Sequence, residues 1–140
     1  LHTRERSMHV SGIDHVNVLT DNLDRTAQFY ERLMGLTRTE NPAISKGFKG
    51  AWMRDSHGNA IVHLVWKDPQ MDRYEGYDPG ESTNAVHHVA FRCSGFEETK
   101  AKLEEMGVDY RVNDLQHLGL RQIFVADPNA VNLELNFAEG

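Results

Sequence analysis

The sequence predicts an α+β fold built from two copies of one unit, with helices covering the outer face of the strands. Three observations carry this. The alternating run Ile13–Val18 recurs as Val86–Phe91, which offsets His15 from His88 by 73 positions. Each run leads into a helical pattern that stops on the same signature, Met34-Gly35-Leu36 and Met106-Gly107-Val108, offset by 72. Each helix is followed by strand candidates around a turn, and the turn residues Asp55 and Asp127 again differ by 72.

Taken in order, residues 1–11 read as a tail: Leu1 to Ser7 precede Met8 and contain no apolar export segment, which fits a vector remnant or mobile end. The first unit covers residues 12–67. After its opening strand, Asp21-Asn22-Leu23-Asp24 offers helix caps, and Leu23, Ala27, Tyr30 and Leu33 fall at helical spacing. Gly35 then supplies the left-handed cap. Ala51–Arg54 and Ile61–Trp66 are strands flanking the turn 55–59, where His57 is expected to be exposed. Residues 68–84, rich in Asp, Pro, Gly and Tyr, form a linker, and Met71, Tyr74 and Tyr77 within it suit either a lid or dimer contacts. The second unit covers residues 85–138. Ser94 and Glu97 have the spacing of a capping box, and Phe96, Leu103 and Met106 form the apolar stripe of its helix. Gln122–Val125 and Val131–Phe137 are its strands. A unit of about 55 residues is marginal alone, so two must pair, within one chain or between chains.

Composition narrows the function. No run approaches the ~20 apolar residues of a membrane span. Cys93 is the single cysteine, which excludes a disulfide framework and a cysteine-rich zinc site and reads as a small buried side chain. Fifteen basic against twenty-one acidic residues give a net charge of −6, the wrong sign for a nucleic-acid surface. With no export signal, a cytoplasmic location is expected.

Strand alternation then sorts the polar residues. His15 and Asn17 share a face in the first strand; His63 shares one with Ile61 and Val65; His88 with Ala90 and Arg92; Glu134 with Asn132 and Asn136. The opposite faces are apolar. His15, His63, His88 and Glu134 occupy corresponding places in the two units. The plain alternative is a face that meets water. Four imidazole or carboxylate groups on one face form a divalent-metal constellation. His87 has the wrong parity to join it.

The runs Gly12-Ile13-Asp14-His15-Val16, Phe29–Leu36, His87–Phe91 and Phe124–Leu135 resemble the vicinal oxygen chelate superfamily of glyoxalase I, extradiol dioxygenases, fosfomycin-resistance transferases and bleomycin-resistance proteins. The resemblance implies two βαβββ modules forming a cupped sheet around one metal ion, a small-molecule substrate, and a homodimer. It also carries the family's metal positions onto His15, His63, His88 and Glu134. One departure lies in the last turn, where Asn129-Ala130 stands in place of the usual glycine.

The resemblance leaves the reaction open. An extradiol-type dioxygenase would hold Fe2+ on His15, His88 and Glu134, with His63 as acid or base and His117 assisting. This is the leading expectation, although the family's active-site tyrosine appears here as Phe124. A glyoxalase I-type lyase or isomerase would hold Ni2+, Zn2+ or Mn2+ on all four residues with Glu134 as base. A fosfomycin-type transferase ranks third, since only Arg92 and Arg121 suit a phosphonate. The non-enzyme alternative is a metal-free binding protein of the bleomycin-resistance type. Asn17, Arg92, Phe124, Asn132 and Asn136 are the expected substrate contacts. Trp52 and Trp66 are core or pocket wall.

Overall fold

The computed structural model describes residues 8–42, 47 and 49–138, so the expected tail falls outside it for residues 1–7. The described residues form β1 (Val16–Thr20), α1 (Leu23–Met34), β2 (Thr37–Glu40), β3 (Gly50–Arg54) and β4 (Ala60–Trp66). They continue with β5 (Val89–Cys93), α2 (Phe96–Met106), β6 (Tyr110–Leu115), β7 (Leu120–Ala126) and β8 (Asn132–Phe137). This is an α+β fold of two βαβββ modules. The first sheet has the order β1-β4-β3-β2 and the second β5-β8-β7-β6. In each, the first strand runs parallel to the last and the other pairings are antiparallel. Residues 67–88 join the modules through turns, without helix or strand.

Local chemistry explains each helix. The Asn22 side chain accepts a hydrogen bond from the Arg25 amide, and Gly35 closes α1 at φ 66°. Leu23, Ala27, Tyr30 and Leu33 are buried, together with Thr26 and Phe29. Burying each large apolar side chain contributes roughly 1.5–3 kcal/mol, so this one face is what holds α1 to the strands. The second helix begins differently from expectation. Its cap is Gly95 at φ 83°, with no side-chain capping bond. The predicted Ser94–Glu97 box therefore does not form; Glu97 instead accepts from Arg121 at 3.3 Å. The chain enters α2 through a left-handed residue, which moves the cap one position past Ser94.

Two strands also start later than their patterns suggest. β1 opens at Val16, leaving Ile13 94% exposed, and β5 opens at Val89, leaving Val86 to His88 exposed. Each is an edge strand hydrogen-bonded on one side only, so pairing ends where its single neighbour ends. β2 is a short outer strand of polar residues that no apolar alternation announces, and in the outer strand β6 only Tyr110 and Val112 alternate with polar residues.

One core joins both modules. Val18, Tyr30, Met53 and Leu64 from the first share it with Phe96, Leu103, Ile123, Leu133 and Phe137 from the second. Helix α1 packs against β3, β4 and α2. A buried polar latch crosses the same boundary. The Tyr30 hydroxyl donates to Asp127 Oδ2 at 2.8 Å, and Asn129 Nδ2 donates to the Thr26 hydroxyl at 3.0 Å. Asp127 is held in place by the Asn129 and Val131 amides at 2.8 and 2.9 Å. In that turn Ala130 takes φ 66°, the conformation a glycine would adopt at less cost. Gly50 is required for packing: a Cβ there would lie 2.1 Å from the Leu64 carbonyl oxygen.

Candidate functional site

The helices cover one face of each sheet and leave the other free. Strand pairing brings the polar residues of the free faces into rows. In the first module the row is Asn17, His63, Trp52, Thr39. In the second it is Ala90, Glu134, Phe124, Arg111. Each row sets its candidate ligand beside a planar aromatic ring.

In the first module, His15 lies just ahead of β1 and its ring stacks on His63, with centroids 3.6 Å apart and planes 11° from parallel. His63 stacks in turn on Trp52 at 4.4 Å. The Arg54 guanidinium lies 5.7 Å over Trp52 and donates to Gly58 O and Thr39 Oγ1 at 2.8 and 3.2 Å. His15 Nδ1 contacts Asp14 Oδ1 at 2.7 Å, which leaves Nε2 as its outward nitrogen. Burial first, and the neighbouring His15 second, hold the His63 imidazolium below its ordinary pKa. At neutral pH His63 is therefore a neutral ring with a lone pair to offer.

In the second module, His88 Nε2 lies 3.5 Å from Glu134 Oε1. Glu134 is embedded in a ladder of amides. Asn113 Nδ2 donates to Gln122 Oε1 at 2.8 Å, Gln122 Nε2 to Asn136 Oδ1 at 2.9 Å, and Asn136 Nδ2 to Glu134 Oε2 at 3.0 Å. Every donor in the ladder points toward the carboxylate. Oε2 is occupied, and Oε1 faces His88. Strand parity supplied Asn136; the ladder beyond it, on β6 and β7, was missed, although the same alternation applied to Gln122 and Asn113 would have found it.

The remaining expected residues take varied places. His87 is exposed, with Nδ1 3.1 Å from His88 Nδ1. Asn132 donates to the His87 carbonyl at 2.9 Å and so orients the chain ahead of β5. Arg92 is exposed at the level of Asn136. Asn17 and His88 both line an open cleft of about 690 Å³ beside β1 and the start of β5, bordered by Tyr77 and residues 81–84. Met71 and Tyr74 line a different cleft, with Trp66 and Lys49. His117 is not brought to the site. It sits in the turn beyond the Leu115–Leu120 pair, four residues along β7 from the partner of Glu134, or about 13 Å of strand. His57 is exposed in its turn, and Cys93 is half-buried with its thiol pushed up to about 11 by burial.

The four ligand candidates thus fall into two pairs. Among the described residues, no three His, Cys, Asp or Glu side chains come close enough to hold one metal ion. Each pair suits half of a divalent site in donor chemistry, and each has an outer partner: Asp14 on His15 and Asn136 on Glu134. The parallel rings of His15 and His63 do not converge as they stand, since lone pairs lie in the ring planes. Seating one ion on both takes a turn of one ring about its Cα–Cβ bond.

The family model of the glyoxalase/bleomycin resistance protein/dioxygenase superfamily matches residues 12–135. The chain belongs to this superfamily. Among curated proteins, "Glyoxylase I 4" of Arabidopsis thaliana is 29% identical over 131 residues, spanning 91% of this chain and 71% of that protein. Among solved structures, this superfamily member is similar to the fosfomycin resistance protein FosX of Listeria monocytogenes complexed with Mn(II) and sulfate. That match has a TM-score of 0.64 and 16% identity, covering 92% of this chain and 93% of the other. An integron cassette protein of V. cholerae gives a TM-score of 0.67 at 14% identity, covering 94% and 98%. At these identities the structural matches show the fold of the superfamily and nothing finer.

Proposed function

We propose that this chain is a metal-dependent enzyme whose site is completed by a second copy of itself. His15 and His63 of one chain would face His88 and Glu134 of the other. The observation that carries this is the separation of the four candidates into two pairs within one chain, each on a free sheet face with its own outer partner. The curated relative's name and the Mn(II) in the FosX structure support the metal and an enzymatic role.

Proton transfer next to a carbonyl, of lyase or isomerase type, fits the residues best. The dioxygenase expectation loses two assistants: His117 lies beyond the hairpin tip, and Phe124 has no hydroxyl to give the substrate. A divalent ion, when bound, would polarise a substrate oxygen. Glu134 would move the proton through Oε1, since Asn136 occupies Oε2 and fixes the rotamer. Neutral His63 would hold its face of the site without adding positive charge. Trp52 and Phe124 would wall the substrate on either side and exclude water.

The test uses two inactive doubles in tag-free protein, His15→Ala with His63→Ala, and His88→Ala with Glu134→Ala. Each alone should bind almost no Mn2+. Mixed as subunits they should regain about a quarter of the wild-type sites, because half the dimers are mixed and one of two sites in each is intact. No recovery from a verified mixed dimer would overturn the shared site. If the wild-type chain takes up no Mn2+, Ni2+, Zn2+ or Fe2+, the enzyme reading fails and a metal-free binding protein replaces it. Iron uptake with oxygen consumption on catechols would return the dioxygenase reading.

A further inference from the structure

The chain carries a net charge of −6, yet its free sheet faces are cationic. Within the strands, the charged side chains that share the faces of His63 and Glu134 are Arg54, Arg92, Arg111 and Glu134. Arg54 is committed to Thr39 and Gly58. Arg92 and Arg111 form no ion pair or hydrogen bond with another described residue. Of these two, Arg111 is the one drawn inward. Its guanidinium carbon lies 4.3 Å over the ring centroid of Phe124, the residue paired with Arg111 on one side and Glu134 on the other.

This makes a row with an order: carboxylate, aromatic ring, unpaired guanidinium. Strands lie about 4.8 Å apart, so the Arg111 backbone stands two spacings, or about 10 Å, from that of Glu134. A guanidinium stacked flat on a ring keeps its N–H edge free for an oxyanion, and the ring shields one side from water. An exposed edge-strand arginine with no role would extend into solvent; this one lies back along the row toward Glu134.

We infer that Arg111, set on Phe124, holds an oxyanion at the distal end of the substrate. The substrate class is an acid whose reacting oxygens sit at His88 and Glu134, with a flat or apolar body of about one ring's length between them and the anion. This rests on the reading of Glu134 and His88 as the reacting end, and deepens it by naming what lies at the other end. The first module supports the direction. There Trp52 takes the place of Phe124, offset by 72, and its neighbour Thr39 is neutral with Arg54 already bonded, so the anion belongs to the second module's side.

The experiment measures binding, not turnover. Wild-type protein is titrated by calorimetry with 3-(3,4-dihydroxyphenyl)propanoate, its primary amide, and the corresponding phosphonate. The carboxylate should bind at least ~10-fold tighter than the amide at low salt, with the gap narrowing as salt rises. A phosphonate that binds tighter still would identify phosphorus oxyanions as the preferred form of the same group. Arg111→Gln should abolish the preference, Arg111→Lys should restore part of it, and Phe124→Leu should weaken acid and amide alike. Equal binding of acid and amide to wild type, or a preference that survives Arg111→Gln, overturns the inference. So does a preference lost in Arg92→Gln instead. Metal content measured on the same preparations keeps the two readings apart: a metal-free protein that still prefers the acid through Arg111 sinks the enzyme reading and leaves the anion site standing.

Discussion

Replacing Tyr30 by Phe deletes one oxygen from the boundary between the modules. The ring itself keeps its place: it is buried to 1% exposure and packs edge-on against Phe29 at 5.4 Å, contacts that phenylalanine reproduces. What disappears is the 2.8 Å bond to Asp127 Oδ2. That oxygen then retains only Asn129 Nδ2 at 3.4 Å, beyond good geometry, in a residue itself 5% exposed. A buried hydrogen bond to a charged group is worth about 1.5–3 kcal/mol, so the expected loss is about 2 kcal/mol. Burial, and then Asp127, push the Tyr30 phenol well above its ordinary pKa, so the hydroxyl remains a donor across any working pH. In urea the midpoint should fall by about 1 M with an unchanged slope. A double-mutant cycle with Asp127→Asn should show coupling of at least ~1 kcal/mol. A loss under about 0.5 kcal/mol at unchanged slope would refute the reasoning.

Other consequences can be checked directly. Asn136→Ala removes the bond that occupies Glu134 Oε2 and frees Gln122 from its acceptor; affinity for Mn2+, read by chelator competition, should drop about 10–100-fold with circular dichroism unchanged. Gly50→Ala drives a methyl group against the Leu64 carbonyl and must shift β3 against β4, so it should cost at least ~2 kcal/mol, and a melting temperature within about 1 °C of wild type would contradict that packing. The fold favours the protonated Cys93 thiol up to about 11, so its contribution to stability is complete below the unfolded thiol's pKa and is lost as pH rises through about 11. Cys93→Ala should flatten that part of the stability profile, and at pH 8 the native thiol should react with iodoacetamide at least ~10-fold slower than free cysteine.

The parts of this fold that were legible in the sequence are those where a side chain's environment follows from its neighbours in the chain. The stripe Leu23, Ala27, Tyr30, Leu33 is buried as its spacing predicts, and Gly35 and Gly107 close both helices left-handed. Alternation places His63 and Glu134 within β4 and β8, while His15 and His88 lie one residue ahead of β1 and β5. β2 was unreadable because an outer strand of polar residues owes its existence to a neighbour's hydrogen bonds, whereas β6 carries a short alternation, Tyr110 and Val112 against Arg111 and Asn113. Ser94 has the right spacing for a cap, but the backbone at Gly95 decides where the helix begins. The separation of the four ligand candidates into two pairs depends on which faces of the modules meet. The contacts between the modules include Tyr30 with Asp127 and Thr26 with Asn129, residues about a hundred positions apart, and no local pattern reports them. For His117, proximity in sequence to the final strand pair is not proximity to Glu134, because the β6–β7 hairpin extends away from it.

The latch has a consequence for the order in which the chain can become native. Among the described residues, the hydrogen-bonded strand pairs lie within one module or the other, so each sheet can form while its own residues are the only ones at hand. Helix α1 is different. Its Tyr30 hydroxyl finds its acceptor 97 residues further along, and its Thr26 hydroxyl meets Asn129 103 residues later. At about 5–20 residues per second of synthesis, these groups wait roughly 5–20 seconds for a partner. During that interval the first module has a formed sheet but one unsealed flank, where a chaperone, or a stray second copy, meets its least finished surface.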